Sequence, residues 1–437
     1  MSRRGRADDV RPEAIGPVGA EPTGAPPPVS AGPVSGRGAA FTALRHPRFR
    51  LFWIGAFVSN IGSWMQAVAQ GWLVLELTDS AFMLGLVGFA ATFPMLVLLL
   101  VGGVYADRFD RRTMLLWAMG AMMAFATALA VLTGTGTVRI QHVLVLSLLN
   151  GGALAMAAPA YQAFVHDLVG RPLLQNAIAL NSAQFNLSRV VGPSIAGLAI
   201  GVIGLAGCFG LNAISYLAAI AVLVKIRGAS TRKVNPDPVW KSLVEGVGYV
   251  RSRPRIQAVL LLVSLISVLA MPYATLLPII ARDSLGLGAS GLGWLFAVGG
   301  TGAVVGALSL AAWRGGGHRG LYLLTMCAIT GLGTTVLGLA REPLLAGAAL
   351  VAISYAATSA IALSNTLLQE LVDDAMRGRV LGMFGLAFMG TFPIGNLLSG
   401  SLAAWLSAST TLALTGGLLV AAVVLVAASR RRILEVE

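Results

Sequence analysis

From Phe49 onward, apolar stretches alternate with short polar breaks. Each stretch approaches the roughly 20 residues that a helix needs to cross the hydrocarbon core of a bilayer. The pattern predicts twelve spans, at 50–77, 81–105, 113–133, 140–163, 177–202, 205–226, 255–280, 289–313, 320–340, 343–370, 379–405 and 408–429. Lipid cannot hydrogen-bond an open backbone, so runs of this length imply helices. The predicted fold class is therefore an all-α integral membrane protein with twelve transmembrane helices. Glycine and proline inside the spans are compatible with this, because membrane helices tolerate both. The fifth span carries Gly192, Pro193, Gly197 and Gly201. The Gly197–Gly201 spacing leaves a small-residue face on which another backbone can lie closely.

Composition narrows the class. Of 437 residues, 56% are apolar and 11% charged, with a mean hydropathy of +0.80. Soluble domains run near 45–50% apolar and about 25% charged. There are too few charges to coat a water-soluble surface of this size, which argues against a soluble enzyme, a secreted disulfide scaffold and a disordered chain. The two cysteines, Cys208 and Cys327, sit in apolar runs. They predict neither a disulfide framework nor a metal site, and no cofactor is expected.

The net charge is +13. In a soluble protein that would point to nucleic acid, but the placement of the basic residues gives another explanation. With the N-terminus inside, 27 of the 31 Lys and Arg residues fall on one face. The opposite face holds Arg139, Arg282 and Arg341, and Arg189 lies within a span. Cytoplasmic loops collect basic residues. The split predicts both termini in the cytoplasm of a multi-pass cell-membrane protein, and no nucleic-acid partner.

Residues 1–44 hold seven Pro and seven Gly and no apolar run, and read as a disordered cytoplasmic tail. The longest charged loop, 227–254, separates six spans (45–226) from six more (255–430), and 431–437 form a second short tail. The halves echo each other. Asp167-Leu168-Val169 corresponds to Glu370-Leu371-Val372, and at the same offset Gly192 falls on Gly395 and Gly197 on Gly400. This predicts two six-helix bundles related by an axis along the membrane normal, with a solute site at their interface.

Between spans two and three stands Gly103-Val-Tyr-Ala-Asp107-Arg108-Phe-Asp-Arg111-Arg112. It resembles the loop motif of the major facilitator superfamily, with Tyr105 and Asp110 replacing the usual Leu and Gly. The resemblance implies the major facilitator fold, and a cytoplasmic gate in which Asp107 meets the start of the eleventh span near Arg379. An anion at a helix N-terminus gains about 0.3–1 kcal/mol. Arg189-Val-Val-Gly192-Pro193-Ser-Ile-Ala-Gly197 resembles the Gly-Pro signature of the superfamily's antiporters. Further stretches, among them Ser59-Asn60-Ile-Gly62-Ser-Trp64-Met-Gln66 and Met376-Arg377-Gly378-Arg379, resemble the branch that includes the enterobactin exporter and drug efflux permeases. That branch implies an exporter working by alternating access, driven by protons.

Polar residues inside spans are costly and point to function. On span one, Asn60, Ser63, Gln66 and Gln70 share an arc of about 120°, with Trp64 beside it. The superfamily places spans one, four, seven and ten around its cavity. That adds Asn150, Met156, Tyr273, Tyr355 and Asn365 as candidate lining residues, or, in the alternative, as interhelical hydrogen-bonding groups. The set implies a small, uncharged or amphipathic solute. Arg189 and Glu76 are the coupling candidates; Arg189 matches Ser63 and Trp64 in depth, about 20 Å into its span. It is read either as a staple over the Trp64 ring or as part of transport. No Gly-x-x-x-x-Gly-Lys-Ser/Thr or His-Glu-x-x-His is present, which argues against ATP hydrolysis and zinc hydrolysis. The expected partners are a small-molecule solute, protons and the lipid bilayer, and the chain is expected to act as a monomer. An importer of the same superfamily, or a non-transporting receptor or scaffold, is the alternative.

Overall fold

The computed structural model describes residues 39–226, 239–312 and 318–429, with side chains at 39–40, 99–108, 239–244, 311 and 375 excepted. Among the described residues every regular element is helical. After a short 3-10 turn (Ala39–Arg45) come α1 (Pro47–Thr78), α2 (Ala81–Arg108), α3 (Arg111–Gly134) and α4 (Ile140–Lys225). Then follow α5 (Val239–Arg251), α6 (Pro254–Leu265), α7 (Tyr273–Ile279), α8 (Ala289–Ala312), α9 (Arg319–Leu339) and α10 (Pro343–Leu371). The last three are α11 (Asp374–Gly385), α12 (Phe392–Leu406) and α13 (Ala408–Ser429). Nine helical stretches among the described residues are long and apolar enough to cross a membrane.

α4 counts as one of these nine, although its 86 residues would reach about 129 Å if straight. It is not straight. Gly170 (φ +70°, ψ 176°) and Gly204 (φ +69°, ψ −178°) break it into segments 140–169, 171–203 and 205–225. Only glycine occupies that backbone region readily. Contacts to α1 show the reversal. Gln70 Nε2 donates to Ser147 Oγ at 3.0 Å, and Ser63 Oγ lies 3.0 Å from Tyr216 Oη. Residues 147 and 216 would stand about 100 Å apart on a straight helix, yet they meet α1 positions about 10 Å apart.

Local chemistry explains other boundaries. Pro47 opens α1, and Asp79 (φ +48°) closes it, with its N–H bonded to the Leu75 carbonyl. Asp110 caps α3 by accepting from Thr113 N at 2.8 Å and Thr113 Oγ1 at 2.6 Å. The residue that departs from the motif's glycine is thus a helix N-cap.

The seventh and eleventh stretches are longer than the pattern predicted, 254–284 and 374–406: a π-turn at Ile280–Ser284 lengthens the end of the seventh, α11 starts the eleventh at Asp374, and internal π-turns stand at Ile266–Ala270 and Leu386–Gly390. A π-turn displaces backbone bonds, and a neighbouring hydroxyl can take up a freed carbonyl. Ser267, fully buried, donates to the Phe388 carbonyl at 2.6 Å and ties two of these turns together.

Two sequence expectations need amendment. The predicted tail 1–44 is ordered at its end: Ala43 is fully buried and its N–H donates to Asn176 Oδ1 at 2.9 Å. Residues 1–38 lie outside the described residues, as do 430–437, which include the C-terminal tail 431–437. The loop 227–254 contains the helix α5. Its apolar residues recur at helical spacing, a signal masked by the loop's six basic residues.

The buried apolar side chains form three clusters whose arrangement defines the molecule. Toward the arginine-poor face a single cluster joins both halves, from Met65, Leu73 and Leu84 to Leu276, Leu292 and Ala403. Toward the arginine-rich face the core divides. One cluster gathers Phe49, Leu115, Phe164 and Leu223 of the first half. The other gathers Ile256, Leu323, Leu367 and Val423 of the second.

Candidate functional site

Where the two halves meet, a cavity of about 310 Å³ lies among α1, the 171–203 segment, the stretch around Met271–Ala274, α8, α10 and residues 388–392. Its wall is mostly apolar, from Met271, Leu295, Phe296, Leu350, Phe388, Met389 and Phe392. Its one charged lining residue is Arg189. Arg189 Nη2 donates to Tyr273 Oη at 3.3 Å, and Tyr273 Oη lies 3.3 Å from Ser354 Oγ. The guanidinium carbon sits 5.8 Å from the centroid of the Trp64 ring, within cation–π range. A polar thread thus crosses from the first half to the second inside an otherwise greasy chamber. A smaller cavity of about 200 Å³ shares Trp64, Ala274 and Phe296 with it and reaches Gln70 and Thr275. A third, of about 260 Å³, lies wholly within the first half and includes Asn60 and Ser63.

The arginine-poor end of this assembly is closed by backbone contact. A Cβ on Gly85 would fall 2.6 Å from Gly400 Cα, and one on Gly293 would fall 2.6 Å from Gly197 Cα. Nothing larger than hydrogen fits at either crossing. Ser290 Oγ adds a 2.6 Å bond to the Gly197 carbonyl, and Arg282 Nη2 bonds the Asp79 carboxylate across the halves. Gly192 has a different role: a Cβ there would meet Trp64 Cβ at 2.6 Å and the Ile61 carbonyl at 2.7 Å. With Pro193 it lets the 171–203 segment lie against α1, which positions Trp64 under Arg189.

Among the described residues, the ion pairs on the arginine-rich face stay within one half or bind α5 to it. Arg111 reaches both oxygens of Asp167 at 2.8 Å, with both side chains largely buried. Arg112 donates to the Leu223 and Val224 carbonyls at 2.7 and 3.0 Å. Arg379 pairs with Glu245 of α5 at 2.7 Å, and Asp373 accepts from Tyr249 Oη at 2.9 Å and Arg253 at 3.1 Å. Gly103, Asp107 and Arg108 belong to the last turns of α2, and their side-chain surroundings lie outside the described residues.

Several expected lining residues are engaged elsewhere. Gln66 is buried and accepts from Asn212 Nδ2 at 2.6 Å, so it holds α1 to the 205–225 segment. Tyr355 Oη accepts from Ser309 Oγ at 3.3 Å, inside the second half. Asn365 accepts from Gln369 Nε2 at 2.5 Å, one turn along its own helix. Asn150 and Met156 are half-buried and do not border these cavities; beside them Gly151 seats against the Ala91 carbonyl, so this part of the segment packs on α2. Glu76 is exposed near the end of α1 and accepts from Trp72 Nε1 at 2.7 Å. A search for polar residues on spans one, four, seven and ten could not have found Phe185, Phe296, Phe388 and Phe392. They are apolar, and they come from the fifth, eighth and eleventh spans.

The sequence profile of the transmembrane secretion effectors matches residues 38–437. The chain belongs to that family of major facilitator transporters. Among its relatives are the enterobactin exporter EntS of Shigella boydii serotype 18 (strain CDC 3083-94 / BS512) and that of Escherichia coli O139:H28 (strain E24377A / ETEC). Each is 27% identical over 381 residues, which covers 87% of this chain and 91% of the relative. Solved structures agree on the fold. A POT family transporter in complex with 5-aminolevulinic acid aligns with a TM-score of 0.73 at 12% identity, covering 88% of this chain and 96% of the other. A bacterial homologue of the human lysosomal transporter Spinster, in an inward-facing conformation, aligns at 0.66 and 14%, covering 89% and 96%. The chain is therefore a multi-pass membrane transporter, and the cavity between its halves is the candidate solute site.

Proposed function

We propose that this transporter has twelve spans in two six-helix bundles and exports a small neutral or amphipathic solute by alternating access. The three segments of α4 and the polar helix α1 supply the spans beyond the nine apolar stretches. The bundles are 45–226 and 255–430, and α5 rides on the cytoplasmic side. The uneven distribution of basic residues supports cytoplasmic termini and a location in the cell membrane.

The divided core carries this reading. The halves share one apolar cluster and two glycine-on-backbone crossings at the arginine-poor face, and hold separate clusters at the other. With the arginine-rich face cytoplasmic, the cavity is presented to the cytoplasm, the side from which an exporter loads. The apolar wall and the single guanidinium suit an uncharged or amphipathic molecule better than a cation. Export rather than import is supported by the enterobactin exporters among the relatives. Proton coupling rests on Glu76 as the acid inside a span, and Asp107 is the proposed gate residue.

Counterflow in proteoliposomes tests the reading. Vesicles preloaded with an unlabelled amphipathic solute should transiently accumulate the labelled solute above equilibrium. Failure across a panel that includes catecholate siderophores and neutral hydrophobic drugs would remove transport of this class.

A further inference from the structure

The cavity within the first half is separate from the interface chamber, and Phe185 borders both. Its ring stands edge-on to Trp64 at 5.8 Å, between the two spaces. The walls differ in kind. The interface chamber is apolar around Arg189, whereas the inner pocket presents Asn60, Tyr161, Gln162, Asn181 and Gln184 and no charged side chain.

Two of these groups are unsatisfied. Asn181 Oδ1 and Gln184 Nε2 are buried without a hydrogen-bond partner, and Gln184 as a residue is 1% exposed. Buried polar atoms are nearly always paired, and an orphan calls for an explanation. The two stand three residues apart on one helix, so they face the same way. One offers an acceptor and the other a donor. The group that completes both is neutral and carries a donor and an acceptor side by side, as a carboxamide does. An ion would be left without a counter-charge here.

We propose that this pocket is a second subsite of the transport cavity and takes a neutral carboxamide- or hydroxyl-bearing end of the solute, while the solute's apolar body lies past Phe185 in the interface chamber. The inference rests on the solute-transport reading above and specifies the chemistry of the molecule that fits it.

The test uses the full chain in lipid nanodiscs and two probes of similar size, naphthylacetamide and ethylnaphthalene. Equilibrium dialysis reads the binding of each, normalised to its partition into empty nanodiscs. The normalised affinity should favour the amide by about five- to tenfold, the worth of one or two buried neutral hydrogen bonds. Gln184→Leu and Asn181→Leu, checked for monodisperse elution, should each remove most of that preference and leave ethylnaphthalene binding within twofold of the parent. Equal normalised affinities in the parent, or a preference that survives both substitutions, would overturn the subsite while leaving the transporter reading intact. Retention of neither probe would count against the chamber itself as well as the subsite.

Discussion

Arg111 reaches both carboxylate oxygens of Asp167 and so joins the start of α3 to the end of the 140–169 segment, and in the second half a single contact from Arg319 to Glu370, at 2.6 Å, joins α9 to α10. The two bridges occupy equivalent places in the chain but different surroundings. Asp167 and Arg111 side chains are 4% and 11% exposed, whereas those of Glu370 and Arg319 are 50% and 26% exposed.

That difference fixes the expected cost of breaking each. Asp167→Asn removes one partner of a buried pair and leaves a guanidinium without its counter-charge, which costs about 3–5 kcal/mol. Glu370→Gln breaks a screened pair worth about 0–1 kcal/mol. Thermal unfolding of the two variants in the same detergent should show a large drop for the first and almost none for the second. Equal shifts would mean that burial does not set the strength of these bridges.

Gly400 should tolerate no side chain. In Gly400→Ala the new Cβ would fall 2.6 Å from Gly85 Cα and 3.0 Å from the Ala81 carbonyl. Overpacking at a rigid contact costs about 1–3 kcal/mol, a shift of roughly five- to 150-fold against the arrangement closed at that face. Spin labels at Ser80 and Thr410 should move apart, and transport should slow. An unchanged distance distribution would show that the crossing is not a closure point.

Glu76→Gln tests coupling. If this acid carries the driving proton, the substitution abolishes gradient-driven accumulation and leaves downhill exchange of solute intact. Its exposure and its bond to Trp72 Nε1 offer a competing role as a helix-end anchor. Uphill transport at the parent rate would assign it that role instead.

Orientation is checked by labelling. Cysteines at Thr135 and Arg341 should react with an impermeant thiol reagent on whole cells, and cysteines at Lys233 and Asp374 should not. Thr135 and Arg341 lie on the face with three basic residues, and Lys233 and Asp374 on the face with 27. Reversed labelling would place the termini outside and turn the proposed direction of loading around.

The sequence by itself determined what depends on residues near one another. A run of about 20 apolar residues makes a spanning helix whatever it packs against, so the stretches were legible, and Asp110 starts α3 and Gly170 breaks α4 through their own backbone neighbourhoods. The glycines that echo between the halves were legible as well. The pairing of Gly192 with Gly395 and Gly197 with Gly400 corresponds to paired contacts, since Gly192 seats on α1 and Gly395 on the Val268 carbonyl, while Gly197 crosses Gly293 and Gly400 crosses Gly85. The tertiary structure alone decided which side of each helix meets the cavity. Gln66 and Trp64 are two positions apart on α1, yet one is bonded to Asn212 and the other lines the chamber. Which of them turns inward is set by a helix about 150 residues away in the chain. The same holds for the apolar wall: Phe296 and Phe388 read as ordinary membrane residues, and only the meeting of two halves, each packed on its own core at one face and shared at the other, leaves a space between them.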